Sequence, residues 1–83
     1  MNGLAIGEPV RVRLDQRSAV PAAFTWRGAW HEVRRWRRAA GRRGPGRRWE
    51  VHTMGGMACV LVRGPGEGEW RLERVLDARG GRA

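Results

Sequence analysis

Apolar and polar residues take turns without a break in Val10-Arg11-Val12-Arg13-Leu14-Asp15. A period of two is the signature of a half-buried strand, one face in the core and one in water. Trp49-Glu50-Val51-His52-Thr53-Met54 alternates in the same way, and Glu69-Trp70-Arg71-Leu72-Glu73-Arg74-Val75-Leu76 begins to. Between the last two lies Met57–Val62, apolar enough to be a central strand. Glycine punctuates the series: Gly55-Gly56 reads as a tight turn, and Gly64-Pro65-Gly66-Glu67-Gly68 as a second connection.

Residues 22–40 admit two readings. Ala22, Trp26, Ala29, Trp30, Val33, Trp36 and Ala40 fall near helical spacing, with arginines largely opposite. A helix there would carry Gly28 in its middle, at about 1 kcal/mol, and would lack a good N-cap. The hairpin reading is better: Ala22–Trp26, an Arg27-Gly28 turn, then Ala29–Arg37, with Gly28 supplying the positive φ that a two-residue turn needs. Residues 1–8 read as a flexible lead-in, 9–78 as a single β domain and 79–83 as a disordered tail. The expected fold is all-β: a small antiparallel barrel or strongly curled sheet of about five to six strands, since closure removes exposed edges. The last residues up to Ala78 could instead form one short helical turn.

Tight turns fix register, and register sorts side chains between faces. The Arg27-Gly28 turn pairs Trp26 with Ala29, Thr25 with Trp30, Phe24 with His31, Ala23 with Glu32 and Ala22 with Val33. Ala22, Phe24, Trp26, Ala29, His31 and Val33 then make the core face, and Trp30 points outward beside Arg27, Arg34 and Glu32. Strict alternation puts Trp36 with Trp30; a bulge at Arg34-Arg35 would return it to the core. A two-residue Gly55-Gly56 turn pairs Val51 with Val60, Trp49 with Val62 and His52 with Cys59.

Charge is concentrated rather than spread. The 83 residues carry a net charge of +9, and every basic residue is Arg. Arg, Gly, Ala and Pro are the residues of GC-rich codons, so the distribution of the charge is a better guide than its sum. Residues 27–48 hold Arg27, Arg34, Arg35, Arg37, Arg38, Arg42, Arg43, Arg47 and Arg48 against Glu32 alone, a net charge of +8 in about a quarter of the chain. A focused cationic patch attracts polyanions. An outward indole beside it matches how single-stranded nucleic acid is held, by stacking on the ring and by phosphate contacts to Arg.

Catalytic signals are weak. A thiol opposite an imidazole could become a nucleophile or ligate a metal, but His52 and Cys59 lack an orienting acid or a further ligand nearby. No phosphate-cradling loop follows a strand into a helix. Neither an enzyme, nor a cofactor, nor a metal site is expected. No apolar run is long enough to span a membrane as a helix, so no membrane partner is expected. Met1–Gly7 lacks the layout of a secretory signal. A lone Cys59 fits a reducing cytoplasm, with association with the nucleoid as a variant of that location.

Phe24-Thr25-Trp26-Arg27-Gly28, followed by His31, Val33 and Trp36, resembles a hairpin found in a small bacterial domain family of unknown function. Trp49-Glu50-Val51, Gly55-Gly56, Trp70-Arg71-Leu72-Glu73-Arg74 and Asp77 resemble that family's later pieces, so the likeness covers roughly residues 9–77. Family members occur alone or at the C-terminus of Y-family translesion polymerase-like proteins. The resemblance implies an accessory role in DNA repair or damage tolerance, and a Y-family polymerase-like protein as a partner. The family often has Tyr where this chain has His31 and His52, and it supplies no catalytic residue to carry over.

The sequence expectation is a non-enzymatic module that binds nucleic acid, DNA rather than RNA, with low sequence specificity. Trp30 would stack, and Arg27, Arg34, Arg35, Arg37, Arg38, Arg42, Arg43, Arg47 and Arg48 would contact phosphates. The rival is an adaptor that docks on a polymerase or another repair factor through an acidic surface of that partner.

Overall fold

A computed structural model describes residues 4–39, 47–66 and 68–77. Six strands follow one another in chain order around a closed antiparallel barrel: β1 (Leu4–Leu14), β2 (Pro21–Trp26), β3 (Ala29–Ala39), β4 (Arg48–Thr53), β5 (Ala58–Arg63) and β6 (Trp70–Asp77). β1 pairs with β6 to complete the circle. The all-β expectation holds, with the barrel as its form.

Two boundaries differ from the sequence reading. β1 starts at Leu4, not Pro9, because Leu4, Ala5 and Glu8 pair with Val75, Arg74 and Leu72 of β6. The register shifts between Ala5 and Glu8, where Gly7 has φ 70°, and this break hides the strand's period. At the other end, β6 stays extended to Asp77, which lies opposite Ala58, so no helical turn forms up to that point. The described residues contain no helix, and hence none long and apolar enough to cross a membrane. Residues 79–83 lie outside the described residues.

The two 11-residue strands make the barrel possible. β1 pairs with β6 over its first half and with β2 from Arg11 onward. β3 pairs with β2 from Ala29 to Glu32 and with β4 from Val33 to Ala39. Each long strand thus passes from one curved half of the barrel to the other, and register shifts accompany the bends.

The β2–β3 hairpin has the expected register over four pairs, Trp26 with Ala29, Thr25 with Trp30, Phe24 with His31 and Ala23 with Glu32, but the expected fifth, Ala22 with Val33, is replaced by the pairing of Val33 with Thr53 of β4. Both turn residues are left-handed, Arg27 at φ 52° and Gly28 at φ 79°. That is the turn whose twist matches the flanking strands. For Arg27 the conformation costs about 1–2 kcal/mol.

The β4–β5 hairpin corrects the sequence reading by one residue. Its connection has three residues, Met54-Gly55-Gly56, not two. Gly56 N–H donates to Thr53 C=O at 3.0 Å, Thr53 N–H donates to Met57 C=O at 2.8 Å, and only Gly56 has positive φ, 97°. The Thr53 hydroxyl also accepts from Met57 N–H at 3.1 Å, an extra anchor that the spacing alone does not disclose. Val51 therefore faces Cys59, Trp49 faces Leu61 and His52 faces Ala58. A one-residue slip exchanges the two faces of a strand, so Cys59 and Leu61 enter the core, each fully buried. Phe24, Val51 and Leu72 are equally inaccessible, and Trp49 and Trp70 stack obliquely with ring centres 5.1 Å apart.

Candidate nucleic-acid interface

The nine arginines of the basic segment fall into groups that the barrel treats differently. Arg42 and Arg43 lie outside the described residues. Three others are matched to carboxylates. Arg27 forms a two-point contact with Glu8, Nη2 to Oε2 at 2.6 Å and Nε to Oε1 at 2.9 Å. Trp26 Nε1–H donates to the same Oε1 at 2.8 Å, and the guanidinium lies 4.6 Å from the centre of the Trp26 ring. These donors hold the Glu8 carboxyl at about 2, far below its ordinary value, with Arg27 the largest cause and Trp26 next. Glu8 thus pins the strained turn to β1. Arg27, expected as a phosphate contact, is engaged with Glu8 in this structure.

Arg37 contacts Glu50 at 3.0 and 3.2 Å, and the other Glu50 oxygen lies 3.1 Å from His52 Nε2. The Glu50 carboxyl is lowered from its ordinary value: burial pushes it up, and hydrogen bonds from Arg37 and His52 outweigh that. Arg48 reaches across β5 to Glu73 at 2.7 Å. Among the described residues, no carboxylate pairs with Arg34, Arg35, Arg38 or Arg47.

Trp30 points outward, 52% exposed, opposite Thr25. Its Nε1–H approaches Glu32 Oε2 at 3.4 Å, and no guanidinium overlies the ring among the described residues. The flat face of the indole is therefore open. Arg34 is the extra residue of a bulge, since Val33 pairs with Thr53 and Arg35 with His52. Arg35 and Arg37 follow Trp30 and Glu32 on the outer face.

The bulge also turns Trp36 onto the inner side of β3, opposite the buried Val51. Trp36 does not join the core, however, and remains 42% exposed. This part of β3 pairs only with β4 among the described residues, and no other described strand pairs along its second edge. Trp30 and Trp36 lie about 20 Å apart along the strand and on opposite faces, so they do not form one stacking platform.

Two arginines outside the expected set adjoin it. Arg11 sits in the cross-strand row Arg11–Thr25–Trp30 on the outer face. Arg63 pairs with Trp70 in β6, and its guanidinium lies 5.8 Å from the centre of that ring. The alternation of β1 marks Arg11 as outward, but only the pairing of β1 with β2 brings it near Trp30.

The residues considered for catalysis or metal binding are separated. Cys59 is fully buried and its thiol is pushed up to about 12 by burial. His52 contacts Glu50, and His31 stacks on Phe24 at 5.0 Å, with burial lowering its pKa. Among the described residues, no three metal-ligating side chains gather. The slip in the β4–β5 register is what removes His52 from Cys59. No known protein family, no curated protein and no solved structure matches the chain to a significant degree.

Proposed function

We propose that the protein is a non-enzymatic nucleic-acid-binding module that uses the outer face of β3. The observation that carries this reading is the open face of Trp30 on the same strand as Arg34 and Arg35, two guanidinium groups without carboxylate partners. Bases stack on such a ring whatever their identity, and guanidinium groups hold the phosphates between them. Contacts of that kind confer little sequence preference. DNA rather than RNA, and a repair or damage-tolerance setting beside a Y-family polymerase-like protein, rest on the family resemblance of the sequence, and a cytoplasmic location rests on the lone Cys59.

A titration with a single-stranded oligonucleotide tests the reading. With about four phosphates neutralised, log K should fall against log salt with a slope near −3. Arg34→Glu combined with Arg35→Glu should weaken binding by at least about tenfold with the far-UV spectrum unchanged. Trp30→Ala should cost single-strand binding about 1–3 kcal/mol and duplex binding less. Equal losses on the two substrates would speak against stacking, and unaltered binding by the double variant would remove this surface from consideration.

One observation favours the rival adaptor. From Arg34 to Ala39, β3 pairs with β4 alone among the described residues, so its other edge offers backbone donors and acceptors to an incoming strand. An acidic segment would suit the arginines there. Capture of such a partner at about 0.15 M salt, where oligonucleotide binding is lost, would favour this second reading.

A further inference from the structure

Three further guanidinium groups without a carboxylate partner among the described residues, those of Arg38, Arg47 and Arg63, lie at one end of the barrel. Two cross-strand rows end there. One runs Arg38–Trp49–Leu61–Leu72 and the next joins Arg47, Arg63, Trp70 and Val10. Trp49, Leu61, Trp70 and Val10 are buried, so both rows face the barrel interior. Arg38, Arg47 and Arg63 thus sit on the inner side at its rim. Arg38 lies 5.6 Å from the centre of the Trp49 ring, and Arg63 is 5.8 Å from that of Trp70.

Three features suggest a ligand. None of the three arginines has a carboxylate partner among the described residues. Among the described residues, the acids that follow Arg63 most closely are occupied: Glu69 accepts from Gly66 N–H at 3.0 Å and Glu73 pairs with Arg48. Finally, Trp49 Nε1 is buried with no acceptor, the only such side-chain atom among the described residues. Like charges that converge without a counter-ion repel one another, and an anion between them relieves that repulsion. A guanidinium already packed on an indole also loses less freedom on binding.

We propose that this rim is a phosphate-binding site in which Arg38, Arg47 and Arg63 hold one phosphate group above the Trp49–Trp70 pair. That the phosphate belongs to nucleic acid rests on the preceding reading; the site itself does not. It would anchor one point of a strand whose bases reach Trp30, and its source is either a backbone phosphodiester or a phosphorylated strand end.

Two measurements on the full chain test this. In the first, inorganic pyrophosphate is titrated into isotope-labelled protein and side-chain N–H signals are followed. The Arg38 and Arg63 Nε–H and the Trp49 indole N–H should move, whereas Arg74, on the outer face opposite Val60, should not. Uniform movement of all arginines, or none, overturns the site.

In the second, Arg63→Gln should weaken oligonucleotide binding about five- to tenfold and reduce the salt slope by about 0.7, against less than about twofold for the equally charged change Arg74→Gln. Equal losses for the two variants overturn the proposal. Should Arg63→Gln not fold, the pyrophosphate titration decides alone. Tighter binding of a 5′-phosphorylated oligonucleotide identifies the strand end as source, and equal binding identifies the backbone. If Arg34→Glu with Arg35→Glu abolishes binding while Arg63→Gln behaves like Arg74→Gln, the rim falls and the β3 surface stands. If no oligonucleotide binds but pyrophosphate still shifts the named signals, the nucleic-acid reading falls and the rim survives.

Discussion

The two halves of β3 share one backbone and do opposite jobs. From Ala29 to Glu32 the strand is tied to β2, its inward His31 stacks on Phe24, and the following Val33, paired with Thr53 of β4, packs against the core. From Arg34 to Ala39 it has β4 on one side only, and even its inward-facing Trp36 and Arg38 are exposed. The bulge at Arg34 divides them. In the first half the inner face packs on the core while Trp30 stays outward; in the second half the inward side chains are exposed as well. A strand can therefore pass from core-packed to solvent-exposed within its own length where a bulge marks the switch.

The sharpest way to break this contrast is to truncate one ring in each half. Phe24→Ala, beneath His31, should lower stability by about 3–5 kcal/mol. Trp36→Ala should change it by no more than about 1 kcal/mol, as expected for an exposed position. Denaturant unfolding with fluorescence and circular dichroism reads both, and comparable losses would mean that the second half is part of the core after all.

A smaller effect concerns the turn that starts the strand. Glu8→Gln removes the charge that pins left-handed Arg27 to β1. Because the Glu8 pKa is about 2 in the folded chain and ordinarily 4.5, its stabilisation is present above about 4.5 and lost as pH falls through 2. Melting curves should show the Gln variant below the wild type at pH 6 and the two converging near pH 2. A gap that persists unchanged down to pH 2 would assign the loss to shape rather than charge.

The smallest effect belongs to His31. Burial depresses its pKa, so the unfolded chain binds a proton more readily, and stability should decline as pH falls below the ordinary value of 6.5. His31→Phe keeps a ring on Phe24 and should flatten the melting temperature between pH 7 and 5 relative to wild type. An identical slope in the two proteins would place the acid sensitivity elsewhere.

How far the sequence could be read depended on whether the governing interaction was local. The β2–β3 register followed from Gly28 and the need for positive φ beside it, and the outward Trp30 followed from the register. At Gly55-Gly56 the same reasoning failed by one residue. Two glycines permit either a two- or a three-residue connection, and the choice was made by Thr53, whose carbonyl and hydroxyl both anchor the longer loop. The imagined His52–Cys59 pair disappeared with that slip. Trp36 was open between surface and core, and the bulge that should have buried it did form. It stayed exposed because burial needs a covering strand as well as an inward direction.

Antiparallel pairing, the left-handed β2–β3 turn and a cationic strand carrying one outward indole were written in the chain itself, since periodicity and turn conformation are properties of neighbouring residues. The order of the strands was decided only by closure of the barrel. Which arginines keep their charge available was not written in the sequence either. Arg27, Arg37 and Arg48 are neutralised by carboxylates 19, 13 and 25 positions away, and Arg11 and Arg63 come beside the expected surface only when the barrel closes. Coulomb interactions act through space at a few ångströms, so only the folded barrel could sort the matched guanidinium groups from the unmatched ones.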